Sequence, residues 1–357
     1  MSAIRPRDLL SDELLGDLAG TAERPDGDRA AVARDIVKLA EAGYLNVALP
    51  PELGGLGCTL RQAACGQRRL ARHAPRTALA VSAHLYWTGA AADAYRAGDD
   101  SVRWILLEAA RGALFAGGHG ESGGDLRLAD PRSRCERSGE GGYEFRDRRA
   151  LSTATPGWDW IAVHGVHALG TRSDERPQSV IAFAGRGGRC TPALRVARVS
   201  PAGTPADVFT TSALTWGHSI LASVQYSDAR RAFNDAITSC AAAATPAAFA
   251  SGIPAPPDGA APANAVPAPA RPAAAGGRPP SRWPAADANA LLDAMKAKIA
   301  DVTHPWQLVQ IPAPDLGGQH LISLYAMRHE VAEGSATVHA LVKQLTGTAT
   351  PARPLAQ

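Results

Sequence analysis

One loop, GALFAGGHGESGGD at residues 112–125, separates two kinds of sequence and so limits the folds open to this chain. Before it, apolar residues recur at helical spacing; after it they fall in short runs of strand character. Six glycines occupy its fourteen residues, alongside His119, Glu121 and Asp125. Glycine at that density weakens any regular element and is favoured where backbone turns sharply or approaches something closely. The loop therefore reads either as a turn between two blocks or as a ligand cradle.

The block before the loop reads as helices over residues 8–110. Asp28 opens a segment in which Val32, Ile36, Val37, Leu39 and Ala40 recur at helical spacing, and Gly43 stands where a glycine ends it. After an extended LNVALPPELGGLG, Thr59 and Gln62 form a capping-box pair ahead of a basic amphipathic helix through Arg72. A more apolar helix, expected to be buried, runs from Thr77 to Tyr95. Arg61, Arg68, Arg69, Arg72 and Arg76 form a cluster that reads first as a solvated helix face and second as a phosphate contact.

Beyond the loop, GGYEFRD alternates Tyr143 and Phe145 with charges, WDWIAVHGV is aromatic and β-branched, and SVIAFAG is a short apolar run. Turn residues separate them and no long helix intervenes, which predicts a small antiparallel barrel or sandwich rather than βαβ units. Gly118, Gly120 and Gly123 match GxGxxG, but a dinucleotide fingerprint must open a helix, and LRLADP reaches Pro131 too soon for one.

Helical spacing returns at Ser212 and holds through Cys240. From Ala241 to about Ala286 the chain is almost all Ala, Pro, Gly and small polar residues, too poor in apolar surface to offset ordering entropy, and is expected to be a disordered linker. LLDAMKAKIADV and a longer helix from about Gln319 to Leu345 follow, with Gly347, Pro351 and Pro354 as the stop. The expected division is a helical domain over 1–111, a β domain over 112–210, a bundle helix over 211–240, the linker over 241–286, further helices over 287–347, and a tail over 348–357.

Composition narrows function by exclusion. The net charge of +3 rests on mixed Arg and acidic residues without the basic stripe that nucleic acid requires. No apolar run is long enough for a membrane span, and MSAIRPRDLLSDELL carries acids where a signal peptide carries an apolar core; a cytoplasmic location is expected. The five cysteines form no CxxC pair, so neither a zinc site nor a disulfide framework is indicated.

AGYLNVALPPELGGLGCTLRQAACGQRRLARHAPRTALAVSAHL resembles the N-terminal signature of the acyl-CoA dehydrogenase family. The resemblance implies a helical N-terminal domain, a middle β barrel and a C-terminal helical bundle, here incomplete, giving an α+β multidomain fold. In that order the glycine loop takes the place of the family's first flavin segment. Gly118, His119, Gly120 and Glu121 are then expected to contact FAD, and Gly124 and Asp125 the substrate. Gly120 replaces a threonine and Ser122 a proline, leaving backbone N–H groups as the main donors. Leu151, Ser152 and Thr153 take the place of the second flavin segment, with Leu151 where an aromatic usually shields the ring; Trp158 and Trp160 are possible substitutes or core residues. The family's barrel strand expected in Thr191–Ala213 is not recognisable there.

The activity the resemblance implies is FAD-dependent α,β-dehydrogenation of an acyl-CoA or acyl-carrier thioester, as in fatty acid metabolism. Electrons would pass to a separate acceptor, and the protein would be a homo-oligomer. That chemistry needs a carboxylate for the α proton and donors to the thioester carbonyl. No residue matches the family's base. The available candidates are Glu330, Glu333, Asp207 and His119, each of which reads first as an ordinary helix or loop side chain and second as a catalytic group. His329 and Glu333 supply only two ligands, too few for zinc. A flavin-dependent monooxygenase of the same fold is the alternative, and a non-catalytic remnant the third reading.

Overall fold

The computed structural model describes residues 6–22, 29–117, 134–138, 142–145, 155–167, 177–186, 194–201, 207–244, 282–304 and 318–347. Six helices come first: α1 (Pro6–Leu9), α2 (Asp12–Ala22), α3 (Arg29–Glu41), α4 (Leu60–His73), α5 (Pro75–Arg96) and α6 (Arg103–Ala110). Gly43 follows α3 at φ 75°, a left-handed conformation that glycine adopts without a Cβ penalty. The stretch that follows, read from sequence as extended, instead winds through two 3-10 turns at Tyr44–Asn46 and Pro51–Leu53, and a Cβ on Gly55 would lie 2.1 Å from the Leu49 carbonyl oxygen, so this turn closes only around glycine.

Thr59 caps α4 as its sequence predicts. The Gln62 N–H donates to the Thr59 hydroxyl, and the Thr59 N–H donates to the Gln62 side-chain oxygen at 2.9 Å. Replacing Thr59 with alanine is expected to lower stability by about 1 kcal/mol. A denaturant midpoint unchanged by the substitution would show that the cap contributes nothing.

The centre of the helical block is α5, buried on almost every face. Several of its buried polar side chains are paired. Thr77 donates to Asp35 at 2.7 Å, Ser82 to the Ala78 carbonyl and Thr88 to the His84 carbonyl. From α4, Gln67 donates to Ala78 O and Ser82 while accepting from the Tyr44 hydroxyl. Of the basic cluster, Arg69 pairs with Asp12 at 2.6 Å and Arg68 donates to Ser223 at 3.3 Å.

Six strands form a single sheet among the described residues: β1 (Phe115–Gly117), β2 (Arg134–Arg137), β3 (Tyr143–Phe145), β4 (Trp160–His167), β5 (Gln178–Gly185) and β6 (Leu194–Pro201). The order is β3-β2-β4-β5-β6, with β1 also on β4. Two findings correct the sequence reading. The sheet is mixed rather than antiparallel, because β1 pairs with the start of β4 and β2 with its end, both parallel. A strand also exists where none was recognisable: β6 lies within Thr191–Ala213 and pairs antiparallel with β5. Its alternation of Arg with small apolar residues hides it, since the arginines are held by other elements. Arg195 lies over the Trp104 ring, and Arg198 bonds Asp99 and pairs with Asp207.

The remaining helices are α7 (Val208–Ala244), α8 (Arg282–Thr303) and α9 (Gly318–Thr346). Helix α7 starts three residues before the expected bundle boundary and α8 five before, at Val208 and Arg282 rather than 211 and 287. The residues expected to form the linker lie mostly outside the described ones. Helix α7 packs against α4 and α5 and also against α8 and α9. Arg230 fastens α8 through Asn289 and Asp293. Polar pairs fasten α9: Thr215 with His320, Gln225 with Arg328, and Asp228 with His339.

One apolar core runs from the N-terminal helices through the sheet into the bundle. At its middle Trp87, Trp104, Phe115, Phe183 and Phe209 meet edge to face or stacked, joining α5, α6, β1, β5 and α7. Among the described residues no helix is long and apolar enough to cross a membrane.

Candidate functional site

Phe115 and Thr155, which flank the two segments that the sequence singles out, are both held by the first half of α5. Strand β1 is buried throughout and leads straight into Gly118. The Phe115 N–H donates to His84 Nδ1 at 3.3 Å, and the other ring nitrogen of His84 meets the Leu45 carbonyl oxygen at 3.0 Å. The two partners together select the neutral tautomer with its proton on Nε2. Burial pushes the imidazole down to about 4, against smaller opposing effects from the Leu45 bond and Asp159. The start of β1 is held as well, because Leu114 N–H donates to the Asp159 carboxylate at 2.8 Å and Leu114 O accepts from the Asp159 and Trp160 N–H groups.

Thr155 lies two residues beyond the second segment and is buried at 2% exposure. Its hydroxyl donates to the Ala80 carbonyl at 2.7 Å. Ala80 and His84 are four residues apart in α5, so the tethers of the two segments are one helical turn, about 6 Å, from each other. Gly118, His119, Gly120, Glu121, Gly124, Asp125, Leu151, Ser152 and Thr153 themselves lie outside the described residues. Trp160 packs edge to face on Trp104 at 5.3 Å, and Trp158 lies under the Arg186 guanidinium.

The carboxylates considered for the base are described, and each is engaged. Asp207 caps α7, accepting from the Thr210 N–H at 3.0 Å and the Thr210 hydroxyl at 2.8 Å, and also pairs with Arg198. Glu330 pairs with Lys298 across α8 and α9 at 3.2 Å. Glu333 is 69% exposed and pairs with His329 one turn back. The structure does not bring these three together. Among the described residues no group of three or more His, Cys, Asp or Glu side chains is placed to hold a metal ion. Of the cysteines, Cys58 and Cys135 are buried and Cys65 is exposed.

Three polar residues carry structural weight that sequence reasoning missed: His84, Asp93 and Thr155. Asp93 accepts from the Trp216 indole N–H at 2.7 Å and from Arg96 at 3.0 Å. Burial pushes its carboxyl up to about 6, with the Trp216 bond and Arg96 acting in the opposite direction. A signal was present for two of them. In an otherwise apolar TALAVSAHLYWTGAAADAY, a histidine and an aspartate stay in a buried helix only with partners. Thr155 offered none, because its partner is a backbone carbonyl 75 residues away.

No protein-family profile matches the chain. It is 27% identical over 145 residues to YdbM of Bacillus subtilis (strain 168), named as an acyl-CoA dehydrogenase; the match spans 40% of this chain and 38% of that protein. Solved structures match more widely. KijD3 in complex with dTDP is 18% identical, with TM-score 0.69 over 96% of this chain and 86% of its own. Indole-bound TdsC from Paenibacillus sp. A11-2, a dibenzothiophene monooxygenase also solved with FMN, is 14% identical, with TM-score 0.64 over 96% and 87%. Methanesulfinate monooxygenase MsuC from Pseudomonas fluorescens is 12% identical, with TM-score 0.61 over 94% and 85%. Helical block, mixed sheet and trailing bundle thus have the acyl-CoA dehydrogenase-like fold of these structures, and over 145 residues the chain is similar in sequence to YdbM.

Proposed function

We propose that the protein is a flavin-dependent oxidoreductase that uses reduced flavin and dioxygen to oxygenate a small organic substrate. The cofactor would lie against the segments at 118–121 and 151–153. The observation that supports this reading is that Phe115 and Thr155, the described residues nearest the two segments, are held one turn apart on α5. One of the two segments is rich in glycine, whose backbone N–H groups would be open to a flat heteroaromatic edge. A flavin there would carry two electrons: oxidised, it would accept them from a β carbon as hydride; reduced, it would pass them to dioxygen, one atom of which would enter the substrate while the other left as water.

Among the described residues, the three carboxylates considered for the base are all paired elsewhere, which supports oxygenation over dehydrogenation. Removing an α proton requires a free carboxylate beside the substrate. Asp207 is committed to the α7 cap and Arg198, while Glu330 and Glu333 pair on the outer side of α9. The relation to YdbM favours the second reading, FAD-dependent dehydrogenation of an acyl thioester passing electrons to a separate acceptor. FAD is the form the family resemblance implies; FMN accompanies TdsC.

Titrating the purified protein with FAD and with FMN, followed by fluorescence quenching, tests the shared premise. Saturable binding of either is expected. The bound flavin, once reduced, should then support oxygen-dependent product formation from small heteroaromatic or sulfur compounds. Bleaching of oxidised flavin by an acyl-CoA without oxygen would instead establish the dehydrogenase reading. A colourless protein that takes up neither flavin would sink both.

A further inference from the structure

We infer that Arg68 and Arg72 form a clamp for a phosphate group where α4 meets α7, a site that does not depend on the flavin reading. The charge of α4 leads to it. Between Glu52 and Asp93 the chain carries no acidic residue, and α4 alone holds Arg61, Arg68, Arg69 and Arg72, more positive charge than the net +3 of the whole chain. Asp12 neutralises Arg69. Arg68 is part-buried, yet its guanidinium donates only to the neutral Ser223 hydroxyl, at 3.3 Å, and has no carboxylate beside it among the described residues. Arg72, one turn on, is exposed and makes neither hydrogen bond nor ion pair among the described residues. Like charges four residues apart on a helix repel, and a part-buried cation without a counter-charge is unfavourable. An anion bridging the two removes both penalties. The Ser223 bond takes one guanidinium donor of Arg68 and fixes the group in place, leaving a planar fork of the kind that matches two oxygens of a phosphate.

The seam beneath the clamp is short of partners as well. Ser219 and Ser227, one turn to either side of Ser223 on α7, are fully buried, and their hydroxyls have no hydrogen-bond partner. Other helix hydroxyls in this molecule close onto the carbonyl one turn back, as those of Thr88, Thr215 and Thr303 do. Helix α5 runs against both α4 and α7: Gln67 meets it at Ala78 and Ser82, whereas Trp216 meets it further on, at Gly89 and Asp93. Since Arg68 reaches Ser223, α4 and α7 run the same way, and the step from Arg68 to Arg72 follows the step from Ser223 to Ser227. One unsatisfied hydroxyl is therefore on the Arg72 side of the clamp. His73 registers the local field: its partial burial, then the charges of Arg69 and Arg72, push the imidazole below its usual range, with Asp12 acting in the opposite direction.

Isothermal titration of the full chain with inorganic phosphate at constant ionic strength tests the inference. Saturable binding is expected, weakened about tenfold by Arg68→Gln and by Arg72→Gln. Arg61→Gln removes the same charge about 10 Å from Arg68 along the helix and should change the affinity less than about twofold. Arg72→Gln takes away no described partner and should leave the thermal midpoint unchanged, so its effect on binding is not one of unfolding. Glycerol 3-phosphate in place of inorganic phosphate separates the two sources of the group: tighter binding assigns the site to a phosphate ester, equal or weaker binding to the free ion. A bound phosphate also offsets the Arg72 charge, so the His73 imidazole, followed by NMR, should titrate at higher pH in its presence. Absence of saturable binding overturns the inference. So does an Arg61→Gln variant weakened as much as Arg72→Gln, which would mean a diffuse field rather than a clamp, or a His73 titration that phosphate leaves where it was.

Discussion

Trp216→Ala is expected to lower the unfolding free energy by about 3–5 kcal/mol, the range for deleting a fully buried indole. Trp216 is 1% exposed and wedged between α7 and α5. Its N–H also reaches the buried Asp93 carboxylate, which the substitution leaves with one donor fewer. The fit on the α5 side is close: a Cβ on Gly89 would lie 2.4 Å from the Trp216 ring. Gly89→Ala in the native background therefore overpacks the contact and should cost about 1–3 kcal/mol. With Trp216 replaced by alanine the obstruction is gone, and Gly89→Ala should then stabilise α5 by about 0.5–1 kcal/mol, the helix preference of alanine over glycine. Urea unfolding of the two single variants and the double variant measures this directly. Strictly additive effects would show that Gly89 is not there to admit the indole.

The second large effect is in pH dependence, where two buried groups of α5 oppose one another. Burial holds His84 at about 4, below its ordinary 6.5. Between those values the unfolded chain binds a proton that the folded one does not, so the His84 contribution is complete above pH 6.5 and is lost as pH falls toward 4. Burial holds Asp93 at about 6, above its ordinary 3.8. There the folded chain holds the proton that the unfolded one has released, so stability falls as pH rises from 3.8 to 6. Each group contributes a slope of about 1.4 kcal/mol per pH unit, and between pH 4 and pH 6 the signs cancel.

Removing either group should uncover the other. Asp93→Asn keeps an acceptor for the Trp216 N–H and should lose about 2–3 kcal/mol more than the wild type on acidification from pH 6 to pH 4. His84→Gln should gain by a similar amount over the same interval. Denaturant unfolding at several pH values checks both, and the comparison between variants removes the common contribution of surface carboxylates. Parallel curves for all three proteins would mean that neither group is held away from its ordinary range.

Much of the architecture was legible along the chain because it depends on local periodicity and local chemistry. The Thr59–Gln62 box, the stop at Gly43, the apolar α5 and the strands at GGYEFRD, WDWIAVHGV and SVIAFAG all rest on residues within one or two turns of each other. β6 escaped notice because its arginines are neutralised by Trp104, Asp99 and Asp207, from elements distant in sequence. Sheet direction escaped for a similar reason, since the run at 160–167 looks the same whether its neighbours run parallel or antiparallel.

The candidate site divides along the same line. Glycine content and a place between a helical block and a β block mark the loop at 112–125, whereas reading it and residues 151–153 as flavin segments comes from the family resemblance alone. That Asp207 is a helix cap and Glu330 and Glu333 are surface partners followed only from tertiary contacts with Arg198, Lys298 and the last helix's own turn. The holding of Phe115 and Thr155 by one turn of α5 is likewise tertiary. Helix and strand preference come from each residue's own backbone and neighbours, whereas a hydroxyl at 155 finding a carbonyl at 80, or an imidazole at 84 finding an amide at 115, requires the packed core that brings them within 3.3 Å.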